Sequence, residues 1–218
     1  MLKLLNVTKT LQKKNVLGNV TFSIKAGEMV CLTGPSGIGK TTLLEIAAGI
    51  IQPDSGIREL HAQRPACLLQ DTPLLPWCSA LGNMEYQLSG YFSAPARKEK
   101  ALFWLERMEL QGATHQKPSE MSGGMKRRLA FACCMALEPD MLFLDEPFAF
   151  LDAPWQAEFI RLLIRLNKEY HTAILMASHE TAPLNNESIR IVPLLSSPVQ
   201  LTSKAENASL RDVPGLPP

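Results

Sequence analysis

The sequence predicts an α/β fold built around a mainly parallel sheet. Three short runs, MVCLT at 29–33, MLFL at 141–144 and AILMA at 173–177, are apolar at nearly every position. That is the pattern of strands covered on both faces. Helical patterns lie between them, so strand and helix alternate along the chain. The runs are followed by a glycine-rich loop, by an acidic pair and, after Ser178, by a histidine.

In chain order, residues 2–7 and 20–24 read as strands, and the turn LysAlaGly at 25–27 leads into the strand at 29–33. Residues 34–39 form the glycine loop, and 41–49 read as a helix closed by Gly49. Residues 57–60 and 66–69 are short strand candidates. From 77 to 110 the pattern is mostly helical, with turn signals near Gly90 and Pro95. A loop at 111–121 precedes a helix over 125–137. After the strand at 141–144 comes an amphipathic helix over 155–169, with Phe159, Leu162, Leu163 and Leu166 on one face. Residues 173–177 and 189–194 return to strand. One domain thus spans 1–195, with residues 77–137 inserted as a separate helical lobe. The Ser- and Pro-containing residues 196–218 read as a mobile tail.

Composition limits the function classes. A chain of 218 residues holds one domain, or one domain with a small lobe. Hydrophobic residues at 46% and charged residues at 20% suit a globular protein with a real core. Lys+Arg 22 against Asp+Glu 21 gives a net charge of +1, which argues against a dedicated nucleic-acid binder. No run approaches the roughly 18–20 apolar residues that span a bilayer. The start, MLKLLNVTKT, lacks the features of a secretory signal. Five cysteines, with Cys133 and Cys134 adjacent, suit a reducing compartment. These points predict a cytoplasmic chain that does not itself cross a membrane.

Residues 34–41, GPSGIGKT, fit G-x-x-x-x-G-K-[ST] between a buried strand and a helix. Glycines let the backbone curl so that several N–H groups face one phosphate, and the helix aims its positive end at the same anion. Gly34, Pro35, Ser36, Gly37, Ile38 and Gly39, with Lys40, Thr41 and Thr42, are therefore the candidate nucleotide-binding residues. Lys40 supplies a cation for the β/γ-phosphates, and the Thr41 hydroxyl can ligate Mg²⁺. At the end of the strand at 141–144, Asp145 would hold Mg²⁺ and Glu146 would polarise the attacking water. Two acids at a buried strand end need a compensating partner.

With these residues in place, the chain resembles the ATP-binding-cassette ATPases. MSGGMKRR at 121–128 is similar to that family's signature motif, LSGGQ in its commonest form. LDEP at 144–147 with Leu151 and Asp152 resembles its Walker B and D-loop, Gln70 its Q-loop glutamine, and His179 in MASHE its switch histidine. The resemblance covers residues 1–195 and follows the family's motif order. It implies a P-loop NTPase core with a mainly parallel sheet, an N-terminal antiparallel β subdomain and an inserted α-helical subdomain. It also implies ATP and Mg²⁺ as cofactors and two subunits closing head-to-tail, with Ser122, Gly123 and Gly124 binding the γ-phosphate of the other subunit's ATP. Gln70 would sense the metal and water, and His179 would keep Glu146 and the water aligned.

Lys126, Arg127 and Arg128 read as a solvated helix face. His61, His115 and His171 read as surface residues. Two positions depart from the family pattern. The signature ends in Met125, which cannot make the hydrogen bonds of the usual glutamine. No aromatic stands near Leu11, where the family's adenine-stacking ring falls, so Leu11 or Val16 would give an aliphatic contact and weaker or less base-selective binding.

LLPW at 74–77 and DEPFAFLDA at 145–153 resemble segments of importer ATPases for nitrate, sulfonates, taurine and related solutes. Leu74, Leu75, Pro76 and Trp77 would then receive a transmembrane permease; the alternative is that they pack the lobe's own core. An extracytoplasmic solute-binding protein is an indirect partner, and no nucleic acid is. The chain ends too early for the C-terminal regulatory domain of some importers, and its place would be the cytoplasmic face of the cell membrane. GGMKRR also occurs in exporters, which leaves an exporter ATPase as an alternative. A hydrolysis-poor or asymmetric subunit and, from a different class, a soluble P-loop kinase are the others.

Overall fold

The computed structural model describes residues 1–71, 74–179 and 188–202. Strands β1 (Leu2–Leu11) and β2 (Lys14–Ile24) form an antiparallel hairpin. Strand β3 (Met29–Thr33) leads into the glycine loop and helix α1 (Lys40–Ala48), and β4 (Ser55–Leu60) returns to pair antiparallel with β1. Then come β5 (Pro65–Leu68) and helices α2 (Ala80–Leu88), α3 (Ala94–Arg107) and α4 (Gly123–Ala136). The chain continues through β6 (Met141–Asp145), α5 (Ala153–Tyr170), β7 (Ala173–Ala177) and β8 (Ile189–Pro193). One sheet is antiparallel, in the order β2-β1-β4. The other is parallel, in the order β5-β6-β7-β3-β8.

Each central strand sends alternate side chains to two cores, as a pleated strand must. Along β3, Met29 and Cys31 face a core shared with α2, α3, α4 and α5, whereas Val30 and Leu32 face one shared with α1 and the small sheet. Ala80, Met84, Leu88, Ala101 and Leu105 of the helical insert join the first core without a break. Phe131 of α4 stacks on Phe159 of α5, with ring centroids 4.0 Å apart.

Two expectations change here. The hairpin strands are longer than their apolar runs, because polar residues continue the pairing to Leu11↔Lys14. Gln12 and Lys13, both at positive φ, make its two-residue turn without the glycine or asparagine that usually marks one. The tail expected to be mobile from residue 196 is packed as far as Leu201. The Gly18 N–H donates to the Val199 carbonyl at 2.8 Å, the Val199 N–H to the Val16 carbonyl at 2.9 Å, and the Thr21 N–H to the Leu201 carbonyl at 2.8 Å. Val199 and Leu201 are buried in the second core, so two apolar residues outweigh their polar neighbours. Residues 203–218 of that tail lie outside the described residues.

Candidate functional site

The site lies at the carboxyl edge of the parallel sheet. Strand β7 separates β3 from β6, so the acidic strand end is one strand further from the glycine loop than an adjacent strand would be. Helix α1 packs across β6 and β7 and closes that gap, and the Thr41 hydroxyl donates to Asp145 Oδ1 at 3.2 Å.

The loop needs its glycines where φ is positive and neighbours approach closely. Gly34 has φ 142°, and a Cβ there would stand 2.6 Å from the Leu194 carbonyl oxygen. Gly39, at φ 122°, backs onto Val16 and Val199. Lys40 is buried, and its Nζ donates to the carbonyls of Gly34 at 2.8 Å and Pro35 at 3.1 Å. These bonds hold the ammonium over the loop in which it is expected to meet phosphate.

Asp145 is 1% exposed. Burial raises its carboxyl above the ordinary range; the Thr41 hydrogen bond opposes this and the charge of Glu146 adds to it. Its Oδ2 is buried with no hydrogen-bond partner. A hydroxyl beside a carboxylate with an unpaired oxygen is a hard-oxygen donor set, and it fits a magnesium ion.

Glu146 follows with φ 45°, and its N–H donates to the Ala177 carbonyl at 2.9 Å. Its Oε2 lies 2.8 Å from His179 Nδ1 and 3.4 Å from the His179 N–H. An ionised carboxylate only accepts, so Nδ1 carries the proton of the shorter bond. Glu146 and His179 face a cleft of about 690 Å³, which is also lined by Leu11, Val16, Ser36, Gly37, Gly39, Lys40, Thr41, Thr42 and Gln70. Such a volume suits a small-molecule ligand. Gln12 and Lys14 line it too; they belong to no motif, so the sequence alone does not single them out. No phenylalanine, tyrosine or tryptophan stands among the described lining residues.

The signature residues lie at the head of α4, where Ser122 caps the helix by accepting from the Met125 N–H at 3.2 Å. A Cβ on Gly124 would stand 3.1 Å from the Phe150 carbonyl, so the D-loop and the signature touch. Asp152 caps α5 by accepting from the Trp155 N–H at 3.1 Å. Ser122 and Gly123 are exposed and none of the signature residues lines the cleft, so within one chain the structure does not bring them to the phosphate loop.

The basic run is not a solvated face. Arg127 is fully buried, at 0% exposure, and donates only to backbone carbonyls. Arg128 bonds the Met108 carbonyl at 2.6 Å and lies over the Trp155 ring. The signal was present in the spacing: Arg127 precedes buried Phe131 by four residues and Cys134 by seven, which places it on the inward face of α4. His61, His115 and His171 are exposed.

The segment at 74–77 divides between its two readings. Leu74 packs against the core, whereas Trp77 is 70% exposed. Buried Asn83 holds the segment: its Oδ1 accepts from the Leu75 N–H at 2.7 Å, and its Nδ2 donates to the carbonyls of Leu75, Cys78 and Ser79.

Known proteins share both this sequence pattern and this fold. The family model described as "ABC transporter" matches residues 17–149. The chain is 33% identical over 205 residues to the nitrate transport protein NasD of Klebsiella oxytoca, covering 89% of this chain and 78% of that protein. It is 36% identical over 179 residues to the taurine import ATP-binding protein TauB of Yersinia pestis bv. Antiqua (strain Antiqua), covering 78% and 69%. A dimeric, post-hydrolysis state of the ATP-binding cassette MJ0796 bound to ADP and Pi aligns with TM-score 0.81 and 30% identity, covering 92% of this chain and 96% of that one.

Proposed function

The chain belongs to the ABC transporter family and is an ATP-binding, ATP-hydrolysing subunit, and on that premise we propose that it powers import of a small solute. The relatives named for nitrate transport and taurine import support that direction, as does the LLPW segment at 74–77. A partner ATPase subunit and a permease complete the assembly, and the chain associates with the membrane through them. No helix among the described residues is long and apolar enough to cross a membrane.

The observation that carries the catalytic part is the contact of Glu146 Oε2 with His179 Nδ1, 2.8 Å long and facing the cleft. In the reading we favour, the loop N–H groups and Lys40 hold the β- and γ-phosphates, and Leu11 and Val16 contact the base. Glu146 accepts a proton from water as its oxygen bonds to the γ-phosphorus and the bond to the ADP oxygen breaks. His179 orients Glu146. A magnesium ion carried in with the nucleotide would be held by Thr41, Asp145 and Gln70, and it would neutralise phosphate charge. Ser122, Gly123 and Gly124 present a helix N-terminus to the γ-phosphate bound by the partner subunit, and Asp152 lies in the loop beside them. The permease contact falls at Leu74–Trp77, made by the exposed Pro76 and Trp77 while Leu74 anchors the segment to the core.

Glu146→Gln tests this reading. Removing the base is expected to lower the hydrolysis rate by about 10²–10⁴-fold. ATP binding should persist, and the chain should accumulate as an ATP-bound dimer in size-exclusion chromatography. Unchanged turnover would show that another group polarises the water.

A further inference from the structure

We propose that Arg127 is a positioning residue for ATP hydrolysis, one that ties the signature helix to the backbone carrying both Gln70 and Glu146. The proposal rests on the ATPase reading above and adds to it a residue of the signature segment 121–128 that lies outside the phosphate-facing Ser122, Gly123 and Gly124. Arginine carries five N–H donors in a rigid fork. In this chain all five have carbonyl acceptors drawn from two segments. Nη1 donates to Leu69 at 2.5 Å and Gln70 at 3.4 Å. Nη2 donates to Asp145 at 2.5 Å and Glu146 at 2.6 Å, and Nε to Pro147 at 3.5 Å. No carboxylate oxygen bonds the guanidinium directly among the described contacts; the carboxylates of Asp145 and Glu146 act on it through their charge.

A buried cation held by neutral carbonyls is an expensive way to fill space, since an apolar side chain of similar volume serves stability as well or better. What the fork supplies is fixed geometry. Glu146 sits at φ 45°, a conformation that a non-glycine residue keeps only where its surroundings determine it. Arg127 grips the carbonyl of that same residue. With the N–H held by Ala177, both peptide groups of Glu146 are pinned, which aims its carboxylate at His179 and the cleft. The other half of the fork pins residues 69–70 in the same way. Arg127 lies in the first turns of α4, three residues after Gly124 of the signature. A shift of the signature helix therefore moves the backbones of Gln70 and Glu146 with it.

The test uses the full chain with Arg127→Lys and Arg127→Gln. Lysine keeps the charge but not the fork, and glutamine keeps a donor but not the charge. Equilibrium ATP binding counts the competent sites, and the single-turnover rate is then measured per bound ATP beside steady-state kcat and KM. Both variants are expected to bind ATP with KM within about twofold of the parent. Their rate per bound ATP should fall on the order of tenfold to a hundredfold, the effect of misplacing a catalytic group. A parental rate per bound ATP in either variant overturns the proposal. So does failure of both variants to bind ATP, or a loss of affinity that accounts for the loss of rate, because either makes Arg127 a residue of stability alone. A parent chain that binds but does not hydrolyse ATP sinks the ATPase reading instead, and the same assay shows it.

Discussion

Asp145, buried beside Thr41 at the edge of the cleft, carries a clear electrostatic cost. Its carboxyl is buried and raised, with one oxygen unpaired. Because the native state holds this proton more tightly than the unfolded chain does, stability falls as pH rises from the ordinary carboxylate range through the raised value. Asp145→Asn removes that slope. In metal-free solution it is expected to stabilise the fold by on the order of 1 kcal/mol at neutral pH. The added stability conferred by magnesium and ATP should shrink at the same time. Thermal melts across pH, with and without magnesium and nucleotide, check both effects. A variant less stable than the parent at neutral pH without metal would contradict the assignment. Lys40, Thr41, Asp145, Glu146 and His179 are legible in the sequence because motif spacing and strand ends locate them. Arg127 is legible only in part: its charge suggests solvent, whereas its helical phase places it inside. The sequence shows that a residue is charged, but not that five carbonyls await it.

Helix starts serve two purposes in this chain. Ser122 satisfies the Met125 N–H and also presents the signature, while Asp152 caps α5 within the D-loop. These two demands separate under substitution. Aspartate caps as well as serine and favours the positive helix end, so Ser122→Asp should leave the melting temperature unchanged or raised. Its charge nevertheless opposes a phosphate brought by the partner, and ATP-dependent dimers of the Glu146→Gln chain should be lost. Ser122→Ala should show the reverse balance, losing about 1 kcal/mol of stability. Chromatography and thermal melts on the same samples distinguish them. Dimers that persist in the aspartate variant would remove Ser122 from the trans contact. At this scale the buried strands 29–33 and 173–177 are readable to the residue, because runs covered on both faces leave little ambiguity. The hairpin is not, since Gln12 and Lys13 give no turn signal and half of each strand is polar.

Across the whole molecule, the alternation of strand and helix makes the parallel sheet readable, but not its order. Nothing local says that β7 lies between β3 and β6; that follows from α1 and both cores being packed at once. Nor does composition reveal that the chain returns after β8 to lie along β2, with Val199 against the phosphate loop. Val199→Asp would bury an unpaired charge there. A loss of about 2–3 kcal/mol is expected, with ATP affinity falling alongside because Val16 and Gly39 share the contact. Calorimetric titration with ATP measures this, and parental affinity in a destabilised chain would show that the loop does not depend on its backing.

The same backing has a consequence for synthesis. Residues 34–41 leave the ribosome early, yet Gly34 is packed against the Leu194 carbonyl and Gly39 against Val199. The strand bordering β3 on its outer side, β8, is also made late. A domain emerges from its N-terminus first, and contacts distant in sequence must wait for their partners. The nascent chain therefore displays its phosphate-binding motif before the residues that back it are made. Until residues 189–201 arrive the loop lacks that backing, and ATP capture by unfinished chains is expected to be weaker than by the full chain.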